Sequence, residues 1–232
     1  QPGSIFKPFV YAAAFETAFD RPADGTDGEP VPAVDANPNV LEPVTPPESP
    51  AETPADAEPK FDSFRRDGVI TPLTTLMDEP TTFTYEGERI YEPNNYKEQY
   101  RGLVTIREAL QHSLNVPTIK VAERIGYNRV AIFAKRMGLN AKIKGYPSVA
   151  LGAFEVTPLE MAGAYTAFAN EGVRMQPHAL LRVHSADGST NKTYKYESEE
   201  VMRPELAYLM THLMEGVIDS GTGAGVRARG FT

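Results

Sequence analysis

The chain has 232 residues, 41% of them hydrophobic, with a net charge of −8 and a pI near 5.1, which suits one or two domains with a substantial core. The acidic balance excludes phosphate-driven binding of nucleic acid, which needs clustered Lys and Arg. Without cysteine there is no disulfide and no thiolate chemistry, and no apolar stretch approaches the ~18 residues of a membrane span.

In chain order, "PGSIFKPFVYAAAF" (2–15) comes first. Its apolar residues lie all round a helix expected from Ser4 to Phe15, the pattern of a buried helix. No signal peptide opens the chain, and a start in the middle of such an element reads as that of a fragment. The stretch 20–66 holds ten of the 20 prolines, and eleven acidic residues against four basic ones. So few large apolar residues cannot offset ordering entropy, and the stretch is expected to be a disordered, dispensable insertion or a docking segment for a partner. Residues 67–102 are rich in turn-formers, with one small hairpin expected over 83–91.

Helices follow. Thr105 and Glu108 form a capping box, S/T-x-x-E, that opens a helix running to about His112. "SLN" interrupts it. Pro117 is placed for a first helical turn, and the helix that restarts there stops at Gly126. A short helix ends at Gly138. A second capping box, Thr157 with Glu160, opens a helix whose apolar positions are read as Leu159, Ala162, Tyr165, Phe168 and Ala169. A hairpin turning at Asp187-Gly188 precedes a last helix, 204–217. No internal repeat is present.

Lys7 is the only charge between Ser4 and Phe15. A buried ammonium tends to lose its proton, and a neutral lysine is a base. Ser4 lies at i−3, so the two side chains share a helix face, and a serine beside a base can act as a nucleophile. Backbone N–H groups free at the helix start suit a developing oxyanion, and Gly3 permits a tight turn into the helix. The plainer alternative makes Ser4 an ordinary N-cap. A second polar site breaks the two apolar helices: Ser113 could relay a proton and Asn115 could hold a substrate amide. Ser-x-x-Lys with a distant Ser-x-Asn belongs to the three-motif pattern of serine acyltransferases. His112, His178, His184 and His212 show no metal spacing, and Glu160 is better explained as a cap than as an acid partner of Glu155.

With "YEPNNY", "RGLVTIREALQHSLNVPTIKVAERIG", "LGAFEVTPLEMAGAYTAFANEG" and "GVIDSGTGAGVRA" in order, the chain resembles the transpeptidase domain of class A penicillin-binding proteins, the bifunctional peptidoglycan synthases. The resemblance implies a mainly α chain with a small β component. That is the helical lobe of the β-lactamase/transpeptidase-like, serine penicillin-recognising fold, with most of the central antiparallel sheet absent from this chain. It implies an organisation of 1–19 as nucleophile helix, 20–66 as insertion and 67–232 as the rest of the lobe. It makes Ser4 the acylated serine, Lys7 its base, and Ser113 and Asn115 the second motif, with no metal or cofactor. The implied partners are peptidoglycan stem peptides ending in D-Ala-D-Ala, and β-lactams. The implied parent is membrane-anchored on the extracytoplasmic face, with a glycosyltransferase domain. The family's third motif, Lys-Thr-Gly, is absent; "SGTGAG" at Ser220 lacks the lysine and follows a helix. Without the sheet, one face of the Ser4 helix is expected to be uncovered and Lys7 hydrated. The alternatives are a D,D-carboxypeptidase or β-lactamase-like hydrolase, and a non-catalytic binding or scaffold module.

Overall fold

The computed structural model describes residues 1–20, 68–140 and 142–231; the expected insertion, from residue 21 on, lies outside them. The apolar run forms helix α1, Lys7–Glu16, entered through a 3-10 turn, Gly3–Phe6, and left through another, Thr17–Phe19. The α-helix thus begins three residues later than expected. Pro8, in its first turn, lacks only an N–H that would have had no partner there. Every residue from Lys7 to Phe15 is buried, so the face expected to be uncovered is not. Ala12, Ala13 and Ala14 let neighbouring backbones come close.

Around α1 stand α2 (Ile106–Gln111), α3 (Asn115–Ile125), α4 (Tyr127–Arg136), α5 (Pro158–Ala169) and α6 (Pro204–Asp219). α1 packs against α3, α4 and α6. The Tyr11 hydroxyl and Thr118 Oγ1 lie 2.8 Å apart in this core, and Thr118 Oγ1 donates to the Leu114 carbonyl at 2.7 Å. Phe6 stacks on Phe9, which meets Phe168 edge-on. At the far end of α1, Arg136 reaches both Glu16 oxygens, at 2.5 and 2.7 Å. Apart from Asp20, the described residues gather in one compact unit.

Both capping boxes form. Gly126 ends α3 at φ +88°, a backbone region open chiefly to glycine. On α5 the buried stripe is Met161, Gly163, Ala164, Ala167 and Phe168. The expected stripe therefore fails in part: Leu159, Ala162 and Ala169 face solvent.

The β component is four antiparallel two-stranded ribbons among the described residues. The hairpin β2 (Phe83–Tyr85) with β3 (Arg89–Tyr91) is as expected, and so is β6 (Arg182–His184) with β7 (Asn191–Thr193). Two further pairs were not anticipated: β1 (Thr75–Asp78) with β4 (Gly102–Thr105), and β5 (Val173–Met175) with β8 (Ser198–Glu200). The inward positions of β1 are Leu76 and Asp78, both 1% exposed. A carboxylate on the inner face hides the alternation that marks a half-buried strand. The architecture is the mainly α lobe with small β content expected from the resemblance. No helix among the described residues is long and apolar enough to cross a membrane.

Candidate active site

Three of the four residues singled out in the sequence converge. Lys7 opens α1 with 1% of its surface exposed. Its ammonium donates to the Ser113 carbonyl (2.5 Å), Ser113 Oγ (3.0 Å) and Asn115 Oδ1 (2.7 Å). Those acceptors use all three of its hydrogens. Even so, burial pulls its pKa from 10.5 down to about 7, because desolvation disfavours the charged form. Near neutral pH both protonation states are therefore populated.

Ser113 sits between α2 and α3 at φ +53°. Helices often end on a left-handed residue, usually glycine or asparagine; a serine there carries backbone strain of about 1–3 kcal/mol. The turn is held by Ser113 N–H to the Leu110 carbonyl and Leu114 N–H to the Ala109 carbonyl. Its result is that both oxygens of Ser113 meet one amine. Asn115 is the first residue of α3, and its Nδ2 donates to the Asn94 carbonyl at 2.8 Å.

Ser4 lies apart from this cluster. It is exposed within the 3-10 turn, and among the described residues it makes no side-chain hydrogen bond to Lys7. The i−3 spacing joins the two through the backbone instead, by Lys7 N–H to the Ser4 carbonyl. The turn itself is anchored on both sides. Gly3 (φ +62°) donates to the Gly152 carbonyl, and a Cβ on Gly152 would come 2.5 Å from the Gly3 oxygen. The Tyr165 hydroxyl donates to the Ile5 carbonyl. Ser4 is thus an exposed hydroxyl on a braced turn, one turn ahead of a buried amine.

"SGTG" braces the neighbouring helix end. Ser220 Oγ accepts from Gln111 Nε2, and the Gln111 carbonyl accepts from Thr222 N–H. Glu160 accepts from Thr157 N–H and Oγ1, which hold its carboxyl below the usual range, as a cap should be. No cluster of His, Cys, Asp or Glu fit for a metal occurs among the described residues.

Sequence reasoning missed the residues behind Asn115. Asn95 Oδ1 accepts the N–H groups of Asn115 and Val116, and Asn95 Nδ2 donates to buried Asp78. In the turn-rich stretch 67–102 nothing local marks either residue; Asp78 sits at the end of β1, whose pairing with β4 is non-local.

The family model described as the penicillin binding protein transpeptidase domain matches residues 66–231, a span that includes Ser113 and Asn115. Penicillin-binding protein 1A of Neisseria meningitidis is 26% identical over 240 residues, covering 100% of this chain and 24% of that protein. The chain therefore spans about a quarter of that relative's length. Among solved structures, penicillin-binding protein 1A from Haemophilus influenzae aligns with a TM-score of 0.67 at 21% identity, over 95% of this chain and 30% of that one. Penicillin-binding protein A from M. tuberculosis, as its imipenem acyl-enzyme complex, aligns at 0.61 and 20% identity, over 94% and 43%. The chain belongs to the penicillin-binding protein transpeptidase family, in the company of its class A members.

Proposed function

We propose that the protein is a serine-type D,D-transpeptidase that cross-links peptidoglycan stem peptides. The observation that carries the reading is Lys7, a buried amine with its pKa near 7, gripped by Ser113 and Asn115 one turn from exposed Ser4. Ser4 Oγ attacks the carbonyl carbon of the penultimate D-Ala, and neutral Lys7 takes the hydroxyl proton. The Ser4 N–H, free at the start of its turn, faces the developing oxyanion. Collapse breaks the peptide bond. Ser113, 3.0 Å from the amine, passes a proton to the departing D-Ala nitrogen and is reprotonated from Lys7. Asn115 keeps one Nδ2 hydrogen for the peptide carbonyl. The amine of a second stem peptide then attacks the Ser4 ester, forming the cross-link and returning the proton to Ser4. β-Lactams occupy the same path through ring opening on Ser4.

The organisation that accompanies this reading is one lobe built of 1–19 and 67–232, with 20–66 inserted. The parent protein acts on the extracytoplasmic side of a bacterial membrane, beside a glycosyltransferase domain. Residues 1–232 contain no Lys-Thr-Gly, so alone they should acylate far more slowly than the full-length protein; one lost oxyanion donor typically costs about 10²- to 10³-fold.

The test is labelling of the full-length protein with a fluorescent penicillin, followed by peptide mass spectrometry. Label on Ser4 that disappears in Ser4→Ala is expected. Label that persists in that variant overturns the assignment. Rapid release of hydrolysed penicillin, with no cross-linked dimer from a stem peptide and an acceptor amine, would make the protein a hydrolase instead.

A further inference from the structure

α3 begins without a side-chain cap of its own. Its N-cap is Leu114, which offers no acceptor, and the first N–H groups of a helix have no partner within it. Those of Asn115 and Val116 both donate to Asn95 Oδ1, at 2.9 and 3.1 Å. The other end of that amide is equally engaged, Nδ2 donating to Asp78 Oδ1 at 2.6 Å and to the Gln99 carbonyl at 3.0 Å. Asp78 Oδ2 accepts Arg101 N–H at 3.0 Å. Asp78 and Asn95 are 1% and 5% exposed. Meanwhile the Asn94 carbonyl takes Asn115 Nδ2 at 2.8 Å. Two consecutive residues therefore hold Asn115 at its backbone N–H and at its side-chain amide. With Nδ2 engaged, Oδ1 is the end left to meet Lys7.

An ionised carboxylate can only accept hydrogen bonds. Asp78 therefore joins the Gln99 carbonyl and the two N–H groups of α3 in setting which way the Asn95 amide points: NH2 toward the carboxylate, oxygen toward α3. Burying a charge is costly unless it is hydrogen-bonded, and charge-assisted bonds are roughly twice as strong as neutral ones. The arrangement suits a part whose orientation matters.

We propose that Asn95, oriented by the buried carboxylate of Asp78, is a positioning residue of the acyl-transfer site, setting Asn115 and, through it, the Lys7 amine. This rests on the acyl-transfer reading above.

The experiment is a double-mutant cycle on penicillin acylation of the full-length protein, with a urea melt for each variant. Asn95→Ala should slow acylation by about 10- to 100-fold, the loss seen for outer-shell partners of metal ligands. In an Asn115→Ala background the same change should add less than about 2-fold, because its effect passes through Asn115. A purely structural role predicts the same factor in both backgrounds, and that result overturns the proposal, as does an unchanged rate in Asn95→Ala. If Asn95→Ala does not fold, Asp78→Asn is put through the same cycle. It keeps the shape and replaces the charge-assisted bond to Asn95 by a neutral one, and it is judged by the same two outcomes. A wild-type protein that takes no label at Ser4 overturns the acyl-transfer reading and this one with it. A labelled wild type with additive variants overturns the positioning role alone.

Discussion

Helices α5 and α3 begin in opposite ways. α5 carries its own start: Thr157 accepts from Glu160 N–H, and Glu160 reaches back to Thr157 N–H. α3 has leucine at its N-cap and borrows its acceptor from Asn95, twenty residues earlier. The self-capped start lies at the surface, and no hydrogen bond of its cap reaches the Lys7 cluster among the described residues. The borrowed one supplies Asn115 to Lys7. A local cap fixes only the helix that bears it, whereas a cap from elsewhere also fixes the helix relative to its neighbours. A site assembled from α1, the α2–α3 turn and the 94–95 segment needs the second kind.

The sharpest way to separate the two regions is chemical. Lys7→Ala should reduce penicillin acylation by about 10²- to 10⁴-fold, the usual contribution of a general base, while Glu160→Ala leaves the stopped-flow rate within about 2-fold. Loss of activity in both would mean that the α5 cap also serves the site.

Titration offers a second contrast. The folded state holds the Lys7 pKa near 7, against 10.5 for the free side chain. Between those values the unfolded chain carries a proton that the folded protein has released. Stability contributed through Lys7 should therefore rise with pH across that window, by up to about 1.4 kcal/mol per pH unit. Chemical melts from pH 7 to 10.5 should show a slope that Lys7→Met flattens. Acylation should fall as pH drops below about 7, where the base is protonated. A slope unchanged in Lys7→Met would mean that the amine is not desolvated.

Removing the borrowed cap should cost more stability than removing a local one. Asn95→Ala leaves two N–H groups without their acceptor and takes from the buried Asp78 carboxylate one of its two hydrogen bonds, at about 1–3 kcal/mol for each buried group, so a loss of about 3 kcal/mol or more is expected. Thr157→Ala should cost about 1 kcal/mol. Equal losses in urea would erase the distinction. The smallest effect belongs to the surface: Arg136→Ala breaks the ion pair with Glu16, whose two side chains are partly exposed, and should cost no more than about 1 kcal/mol.

What was legible in the chain was local. Both capping boxes, the hairpins over 83–91 and 182–193, the glycine stops and the buried character of α1 follow from residues within a few positions of one another. β1 with β4 and β5 with β8 were not legible, because each joins short segments more than 20 residues apart and no turn marks the pairing. The α5 stripe was misjudged because nearly all of that helix is apolar, so periodicity could not choose a face. In the site, Ser4, Lys7, Ser113 and Asn115 stood out as polar residues in apolar surroundings. Their separation did not: the i−3 spacing suggested a direct Ser4–Lys7 contact, but the 3-10 turn leaves Ser4 at the surface and the amine turns to α3.

From the sequence alone comes a lone lysine in an apolar helix one turn after a serine, because apolar residues lie on every side of "SIFKPFVYAAAF"; whether its amine is hydrated or buried does not. Tertiary packing settles what the amine faces. Ser113 and Asn115 lie more than a hundred residues away along the chain, and they reach Lys7 because α3 packs on α1 and is capped by Asn95. Those contacts come from non-local packing and from the pairing of β1 with β4, and local sequence pattern carries no record of either.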